Sequence, residues 1–233
     1  MPLDFPTFRP HPLIRGGHLQ TILGCYLPWQ RLPYQAVQHL VPLPDGDRLV
    51  LHDDQPTAWQ PGDVAVLMIH GLGGCHLSGY MRRGAAKQTA RGYRVFRMDL
   101  RGCGAGFAHA RHPTHAGRSD DALAALRFVM DRCPRSPVHV VGFSMGANHV
   151  LKMAGELGER VPTSLASLAA VCPPIDLLAC SRNIQLGRNR MYDRSFVAGL
   201  LKQIQRRKRQ VPGAVLRPLE PPPTDSGPRT ATP

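Results

Sequence analysis

The chain has 233 residues, of which 42% are hydrophobic, and a formal net charge of +13. This length suits one domain with a sizeable core, and no apolar run approaches the ~20 residues that a membrane-spanning helix needs. The N-terminus lacks the basic and then apolar segments of a signal peptide, and the six cysteines form no Cys-x-x-Cys pair. We therefore expect a cytoplasmic protein with reduced thiols and no transmembrane segment.

The positive charge is concentrated near the C-terminus. Residues 182–233 contain eleven Lys or Arg and three Asp or Glu. Two interpretations are open: a solvated helix face followed by a basic tail, or a surface that attracts anionic partners. The first is favoured, because no nucleic-acid-binding motif or aromatic platform accompanies the charge. We expect no nucleic-acid partner.

The first part of the chain predicts an arm, a hairpin and a buried strand. Residues 1–33 are rich in proline and predict an arm with a short helix over residues 18–24. Residues 36–53 alternate around the turn sequence Pro44-Asp45-Gly46, which predicts a β-hairpin. Residues 64–69 form a continuous apolar run, typical of a strand buried on both faces of a parallel sheet.

Strand and helix signals then alternate, which predicts an α/β architecture with a mainly parallel sheet and flanking helices. Glycine-rich loops follow the first two strands of this series, at residues 70–74 and 101–106, and the second lacks the lysine and spacing of a phosphate-binding loop. Ser119 is the expected N-cap of one helix. The predicted helices cover residues 80–91, 119–132 and 147–157, and the predicted strands cover residues 93–100, 138–141 and 165–171.

The sequence Gly142-Phe143-Ser144-Met145-Gly146 lies between a predicted strand and a predicted helix. Small residues two before and two after a serine let the strand and helix nearly touch at a sharp turn, which exposes the serine hydroxyl above the sheet edge. Gly142 and Gly146 are those residues here. The order predicts a nucleophile elbow with Ser144 as the catalytic nucleophile, and a chance Gly-x-Ser-x-Gly is the alternative.

A nucleophilic serine needs backbone N–H groups that stabilise the oxyanion of the transition state. We expect one from Leu72, in a loop where His70 and Gly71 support it and glycines allow close approach of the backbone. We expect the second from Met145, at the start of the helix, where the helix dipole adds partial positive charge. Without the elbow, the loop would be interpreted as an ordinary strand-to-helix connection.

Clustered histidines and two loop cysteines are weaker candidates. His109, His112 and His115 recur at every third residue, but a proline interrupts them and no local carboxylate or cysteine completes a ligand set. We predict no metal site there and no cofactor. Cys75 and Cys103 lie in the two glycine-rich loops and are interpreted as packing thiols rather than reactive ones.

The C-terminal third predicts a buried strand, a helical region and a tail. Residues 165–171 are apolar and predict another buried strand. Residues 178–209 are helical in pattern and basic, and could start a cap or lid over a site. Residues 210–233 are rich in proline with almost no apolar periodicity, and predict a disordered tail.

Five segments taken together resemble those of a known family. They are residues 17–21, 70–74, 101–104, 142–148 and 173–177. Over roughly residues 5–205 the chain is similar to the YheT-like branch of the α/β-hydrolases, predicted esterases and lipase-like hydrolases. The resemblance implies an α/β-hydrolase fold with a sheet of about eight strands, a Ser–His–Asp triad and hydrolysis of carboxylic esters.

The chain departs from that pattern at the acid and the base. In the family the acid and then the histidine follow the nucleophile along the chain, but no histidine follows His149. His149 lies in the helix behind Ser144 and is expected to point away from its hydroxyl. Asp176 follows a strand end, one strand too early for the family's acid. We therefore expect an incomplete hydrolase domain over residues 34–209, C-terminally truncated, with its last strands and helices missing.

Two consequences follow from the missing acid and base. Hydrolysis of small-molecule or lipid esters at Ser144 is expected to be impaired. The strand over residues 165–171 would become an apolar sheet edge, through which weak association is expected. Two other functions are open: a catalytically inactive binding protein that keeps the fold, and a binder of anionic partners that uses the basic region.

Overall fold

The computed structural model describes residue 7 and residues 9–26 and 35–215. The chain divides into two compact units, Met1–Pro33 and Tyr34–Pro233. In the first unit, helix α1 spans Gly17–Tyr26, somewhat longer than the helix predicted over residues 18–24. No described helix combines the length and the apolar character needed to cross a membrane.

The second unit contains six strands and five further α-helices among the described residues. The strands are β1 (Val37–Pro42), β2 (Arg48–Asp54), β3 (Ala65–Ile69), β4 (Arg94–Asp99), β5 (Val138–Phe143) and β6 (Leu165–Val171). The helices are α2 (Gly79–Thr89), α3 (Ser119–Arg132), α4 (Met145–Leu157), α5 (Leu177–Ile184) and α6 (Arg190–Gln210). Short 3₁₀ segments cover Gly104–His109, Gly158–Arg160 and Gly187–Asn189.

The strands form one sheet in the order β1-β2-β4-β3-β5-β6. The hairpin β1–β2 is antiparallel, and β2 also pairs antiparallel with β4. The four strands β4, β3, β5 and β6 are parallel, joined by crossovers through helices. The predicted hairpin and the predicted mainly parallel sheet are both confirmed. The described residues provide six strands, where the resemblance implies about eight.

Alternation along β3 explains the two hydrophobic clusters of the domain. Every residue of β3 is buried, as the apolar run predicts. Successive side chains point to opposite faces, so Leu67 and Ile69 join the cluster formed with α3 and α4. Val66 and Met68 face the other way and pack with residues of α2. The sheet therefore has helices on both faces, which is what parallel strands require.

The strand over residues 165–171 forms, but the prediction that it is buried is wrong. Among the described residues, β6 is the last strand in the sheet order, and β5 is its one neighbouring strand. Leu168 is half-buried against the α4 side, whereas Ala169 and Val171 are exposed on the opposite face. An apolar run marks a strand, but the number of neighbouring strands and helices decides its burial.

Ser119 does not cap α3, which corrects another expectation. It is the first residue inside the helix, and the N-cap Arg118 makes no side-chain capping hydrogen bond. The Ser119 hydroxyl instead donates to Glu156 Oε2 at 2.5 Å and accepts from Lys152 Nζ at 3.0 Å. The side chain thus connects α3 to α4.

The predicted disordered tail is wrong over its first residues. Helix α6 continues through Gln210, and Val211 is buried. The N–H of Val215 donates to the carbonyl of Arg111 at 2.9 Å. Residues 216–233 lie outside the described residues, so the prediction for them stays a prediction.

Candidate active site

Ser144 lies at the sharp turn between β5 and α4 and has an unusual backbone conformation. Its φ is 51° and its ψ is −116°. A positive φ costs a non-glycine residue on the order of 1 kcal/mol or more and persists only where the surroundings hold it. The Ser144 N–H donates to the carbonyl of Val171 at 2.9 Å, and its carbonyl accepts from Asn148 at 3.0 Å. The residue is exposed, so the turn presents the serine to solvent.

The two predicted elbow glycines lie where the chain cannot accommodate a side chain. A Cβ on Gly142 would be 2.5 Å from the carbonyl oxygen of Gly146 and 2.7 Å from Ala147 Cα. A Cβ on Gly146 would be 2.5 Å from the carbonyl oxygens of both Ile69 and His70. The clashing atoms are backbone, which cannot move aside cheaply. Strand β5, the turn at Ser144 and helix α4 therefore approach each other closely at both glycines.

The glycine-rich loop after β3 lies directly beside Ser144. A Cβ on Gly71 would be 3.0 Å from Ser144 Cβ and 3.5 Å from Ser144 Oγ. Leu72, whose N–H is a predicted oxyanion donor, is the next residue. Met145, the other predicted donor, is the first residue of α4, where helix N–H groups lack a partner within the helix. Leu72 and Met145 are therefore next in sequence to residues that lie at the turn, Gly71 and Ser144.

His70 supports this loop through two hydrogen bonds. Its Nε2 accepts from the N–H of Leu100 at 3.0 Å, and its Nδ1 lies 2.7 Å from the carbonyl oxygen of Gly71. Because Nε2 accepts, the proton resides on Nδ1. Burial lowers the pKa of His70, so the imidazole is neutral. It holds the ends of β3 and β4 together and has a positioning role.

Tyr80 is a second support for the loop, and sequence reasoning missed it. Its hydroxyl accepts from the N–H of Gly71 at 3.0 Å, and its ring packs against Phe143 with centroids 4.9 Å apart. Burial raises the pKa of Tyr80, so the phenol stays protonated. Because the Gly71 N–H is occupied, the N–H of Leu72 is the better candidate for an oxyanion donor. Nothing in the local sequence distinguishes Tyr80 from an ordinary helix residue.

Comparison with known proteins defines the family. A family model described as "alpha/beta hydrolase fold" matches residues 64–216, which span β3 to the end of α6. The chain belongs to the α/β-hydrolase family. The fold class expected from the sequence is thereby confirmed, as is the resemblance on which it was based.

Named relatives of this α/β-hydrolase include proteins from bacteria and animals. It is 29% identical over 191 residues to "Putative esterase YheT" of Escherichia coli strain K12, covering 82% of this chain and 55% of that protein. It is 26% identical over 160 residues to "Abhydrolase domain-containing protein 2" of Drosophila melanogaster, covering 67% of this chain and 40% of that protein. The chain therefore spans about half the length of the curated relatives it matches.

A solved structure supports the fold. The esterase Pf2001 of Pyrococcus furiosus superposes with a TM-score of 0.52 at 22% identity, covering 64% of this chain and 58% of that one. At this level of identity the likeness concerns the fold alone.

A buried cluster of His52, His76 and Asp99 fixes the two glycine-rich loops that follow β3 and β4. His52 Nε2 and His76 Nδ1 lie 3.0 and 2.8 Å from Asp99 Oδ2. The backbone N–H groups of His76 and Ala105 donate to the same carboxylate at 2.7 and 2.8 Å. Burial would raise the pKa of Asp99, but the histidine hydrogen bonds outweigh it and hold the pKa well below its usual value. Asp99 thereby joins both glycine-rich loops to β4.

These three residues are close enough to hold a metal ion, but their geometry fits a hydrogen-bonded cluster better. The rings of His52 and His76 are stacked, with centroids 3.4 Å apart and planes 17° apart. Lone pairs in parallel stacked rings run side by side and do not converge on one cation. The Asp99 oxygens are already occupied by four donors, and no buried polar atom of the cluster lacks a partner.

Asp45, Asp47 and His112 form a second group of this kind, and a guanidinium already provides its positive charge. Arg101 Nη1 lies 2.5 Å from Asp45 and 2.8 Å from Asp47, while its other edge binds Asp121 in a bidentate pair. Of the three clustered histidines, only His112 belongs to the group, with its Nδ1 3.0 Å from Asp47. The carboxylates of both clusters are already bound by hydrogen-bond donors, which does not favour a metal ion in either of them.

The two residues after Ser144 that the sequence offers as triad partners, His149 and Asp176, make other contacts. His149 is buried, with Nε2 2.9 Å from the carbonyl oxygen of His115, and it points away from the serine as expected. Asp176 accepts from the N–H of Ala179 at 2.8 Å and caps α5. Both side chains are therefore engaged away from the Ser144 hydroxyl.

The loop cysteines differ in accessibility. Cys103 is buried, and burial raises its pKa to about 11, so it is protonated and unreactive at neutral pH. This supports its interpretation as a packing thiol. Cys75 is half-buried and free, and its packing role stays a prediction.

A cleft of about 580 Å³ opens beside the loop after β3. We call it the loop–α6 cleft, because its walls are the two glycine-rich loops and one face of α6. Leu72 and Cys75 line it on one side, and Phe107 lies across from them. The α6 residues that line it are Ser195, Phe196, Gly199, Leu200, Lys202, Gln203 and Arg206.

Proposed function

We propose that this chain carries the nucleophile of a carboxylic ester hydrolase, with Ser144 forming an acyl-enzyme. The observation that supports it is the strained, exposed conformation of Ser144 held against Gly71. The Ser144 oxygen attacks the ester carbonyl and loses its proton, and the tetrahedral intermediate collapses as the alcohol leaves with a proton. Water then attacks the acyl-enzyme, releasing the carboxylic acid and restoring the hydroxyl.

The backbone N–H groups of Leu72 and Met145 would hold the oxyanion during both steps. Fixed donors stabilise charge as it develops without having to reorganise, and one such donor is worth on the order of 10²-fold in rate. The loop that carries Leu72 is fixed by His70 and Tyr80. Met145 gains from the partial positive charge at the start of α4.

Substrates are proposed to be small-molecule or lipid esters of carboxylic acids. The word esterase in the name of the E. coli relative favours this class. A cytoplasmic location is part of the same proposal.

The rate is proposed to lie well below that of a complete triad. Serine's hydroxyl is a weak nucleophile at neutral pH without an adjacent base, and His149, the last histidine of the sequence, is hydrogen-bonded to the His115 carbonyl instead. Oxyanion stabilisation and binding alone retain about 10³- to 10⁴-fold over water.

The test is turnover of short-chain 4-nitrophenyl esters together with labelling by a fluorophosphonate. Ser144→Ala should abolish both signals, while Ser181→Ala, an exposed serine of α5, should leave them unchanged. Turnover that survives Ser144→Ala would contradict the assignment of the nucleophile. A folded wild type that neither turns over nor labels would support the inactive binding protein instead.

The pH profile tests the missing base separately. Without an imidazole at Ser144, deprotonation depends on hydroxide, so kcat should rise about tenfold per pH unit without a plateau near 6.5. Added imidazole should accelerate the wild type but not Ser144→Ala. A plateau at neutral pH would show that a histidine acts as base and that the rate is not impaired in the proposed way.

A further inference from the structure

We propose that the loop–α6 cleft selects esters that carry an anionic group, a carboxylate or a phosphate, on the arm that leads away from the scissile bond. The proposal rests on ester hydrolysis at Ser144. The cleft begins at Leu72, adjacent to Gly71, which lies against the serine. An ester held at Ser144 with its carbonyl oxygen at the Leu72 N–H would therefore extend one arm into this cleft.

The α6 wall of the cleft supplies two cations. Lys202 and Arg206 line it, and no aspartate or glutamate does. Within the described part of the chain, neither cation forms an ion pair with a carboxylate. The Arg206 guanidinium lies 4.2 Å from the Phe107 ring centroid, and its Nε donates to Gln210 at 2.8 Å. Stacking on an aromatic ring orients a guanidinium while leaving its charge available.

A third, buried cation lies behind the floor of the cleft. Arg207 is 2% exposed, and its Nη2 donates to the carbonyls of Ala110 and Arg111 at 2.7 and 3.0 Å. Its Nε and Nη1 are buried without a partner. Nη1 lies directly against Gly102, one of the cleft residues, since a Cβ there would be 2.2 Å away.

This buried guanidinium has no ion-paired carboxylate among the residues that the structure describes. A buried charge without a paired carboxylate is expensive, and burial lowers the pKa of Arg207 more than the charge of Asp47 raises it. Its field reaches the cleft through Gly102, where no side chain intervenes. An anion bound in the cleft would offset that charge, which is why we assign an anionic arm rather than a neutral polar one.

Asp99 lies beside the floor of the cleft, and other groups bind its carboxylate. It lies under Gly104, where a Cβ would be 2.2 Å from Oδ2. Its oxygens accept from His52, from His76 twice and from Ala105. Those donors partly compensate its charge, so it offsets the field of Arg207 only in part.

The test compares 4-nitrophenyl butyrate, a neutral ester, with the 4-nitrophenyl hemiester of glutaric acid, which carries a carboxylate. The ratio of kcat/KM for the anionic ester to that for the neutral ester should exceed one and should fall with added salt. The double variant Lys202→Gln and Arg206→Gln should lower this ratio by about tenfold. Lys208→Gln is the matched control, an exposed cation of α6 outside the cleft, and should leave the ratio unchanged.

A binding arm separates failure of the cleft from failure of the hydrolase. Binding of glutarate and of inorganic phosphate to Ser144→Ala is measured by calorimetry, with and without the double variant. If both esters are hydrolysed and the double variant does not change the ratio of their kcat/KM values, the cleft assignment is overturned and the proposed function is kept. If neither ester is hydrolysed but the anions bind, and the double variant abolishes this binding, the cleft assignment is upheld and the proposed function is overturned.

Vesicles of phosphatidylglycerol in phosphatidylcholine distinguish a lipid headgroup from a soluble anion. Binding of soluble glutarate or phosphate that depends on Lys202 and Arg206 supports the cleft. Binding to the vesicles without binding of either soluble anion overturns it in favour of a surface for anionic membranes.

Discussion

The backbone of Gly71 lies against the side chain of Ser144, so closely that a Cβ on the glycine would be 3.0 Å from the serine's own Cβ. This contact joins two loops that follow different strands, β3 and β5, which are neighbours in the sheet. It places the glycine-rich loop after β3, whose backbone a substrate can approach, beside the exposed Ser144 hydroxyl. The proposed chemistry depends on this close contact between Gly71 and Ser144 more than on any single hydrogen bond.

Gly146→Ala should destabilise the fold. The new Cβ would be 2.5 Å from the carbonyl oxygens of Ile69 and His70, so β3 or α4 must shift. We expect a loss of about 2 kcal/mol or more in the free energy of unfolding, measured by urea denaturation. Gly155→Ala is the control in the same helix, where nothing lies within 4 Å, and should be neutral or stabilising by up to about 1 kcal/mol. Equal effects of the two changes would contradict the close approach.

Tyr80→Phe should reduce ester hydrolysis more than stability. The variant leaves the Gly71 N–H without its acceptor, so the loop carrying Leu72 loses its fixed position. We expect kcat to fall by about tenfold with little change in KM, because misplaced donors act on the transition state. Tyr93→Phe, in the same hydrophobic cluster, is the control. A change in KM alone would argue against a positioning role for Tyr80.

Acid should weaken the fold through Asp47. Burial would raise the pKa of this carboxyl, but hydrogen bonds from the Arg111 and His112 amides and from Arg101 lower it to about 2. Its folded pKa is depressed, so its contribution of about 2 kcal/mol is present above pH ~4 and is lost as pH falls towards 2.

Asp47→Asn should therefore cost about 2 kcal/mol at pH 7, and the difference from wild type should shrink between pH 4 and pH 2. Urea denaturation across this range measures it. Asp120→Asn, at a carboxyl whose side chain is 68% exposed, serves as the comparison and should show little effect. If the difference in the free energy of unfolding between Asp47→Asn and wild type stays constant down to pH 2, this linkage is ruled out.

Weak self-association, where it occurs, should involve the β6 edge. In the part of the chain that the structure describes, that strand pairs on one side and exposes Ala169 and Val171, a pattern that favours pairing with another chain. Ala169→Lys should weaken association several-fold in sedimentation across a concentration series. Val37→Lys places the same charge on β1, at the opposite edge of the sheet, and should have no such effect. The reverse result would assign association to the hairpin edge.

Several features could be predicted from the sequence because they depend on neighbouring residues. The elbow needs only a strand, a serine between two glycines and a helix, all within one short stretch. The apolar run of β3 and the hairpin turn at Asp45-Gly46 are equally local. The expectation of an impaired triad is also local, since it depends on the observation that no histidine follows His149.

Other features depend on residues far apart in the chain, and only the tertiary structure decided them. His52 and Asp99 are 47 residues apart and meet because β2 and β4 pair. Arg207 meets Ala110 across 97 residues, so a sequence that reads as a basic helix face conceals one buried guanidinium. Local sequence determines which element forms. The packing of distant elements determines which side chains lose contact with water, and it therefore decided both the exposure of β6 and the burial of a charged guanidinium behind the cleft.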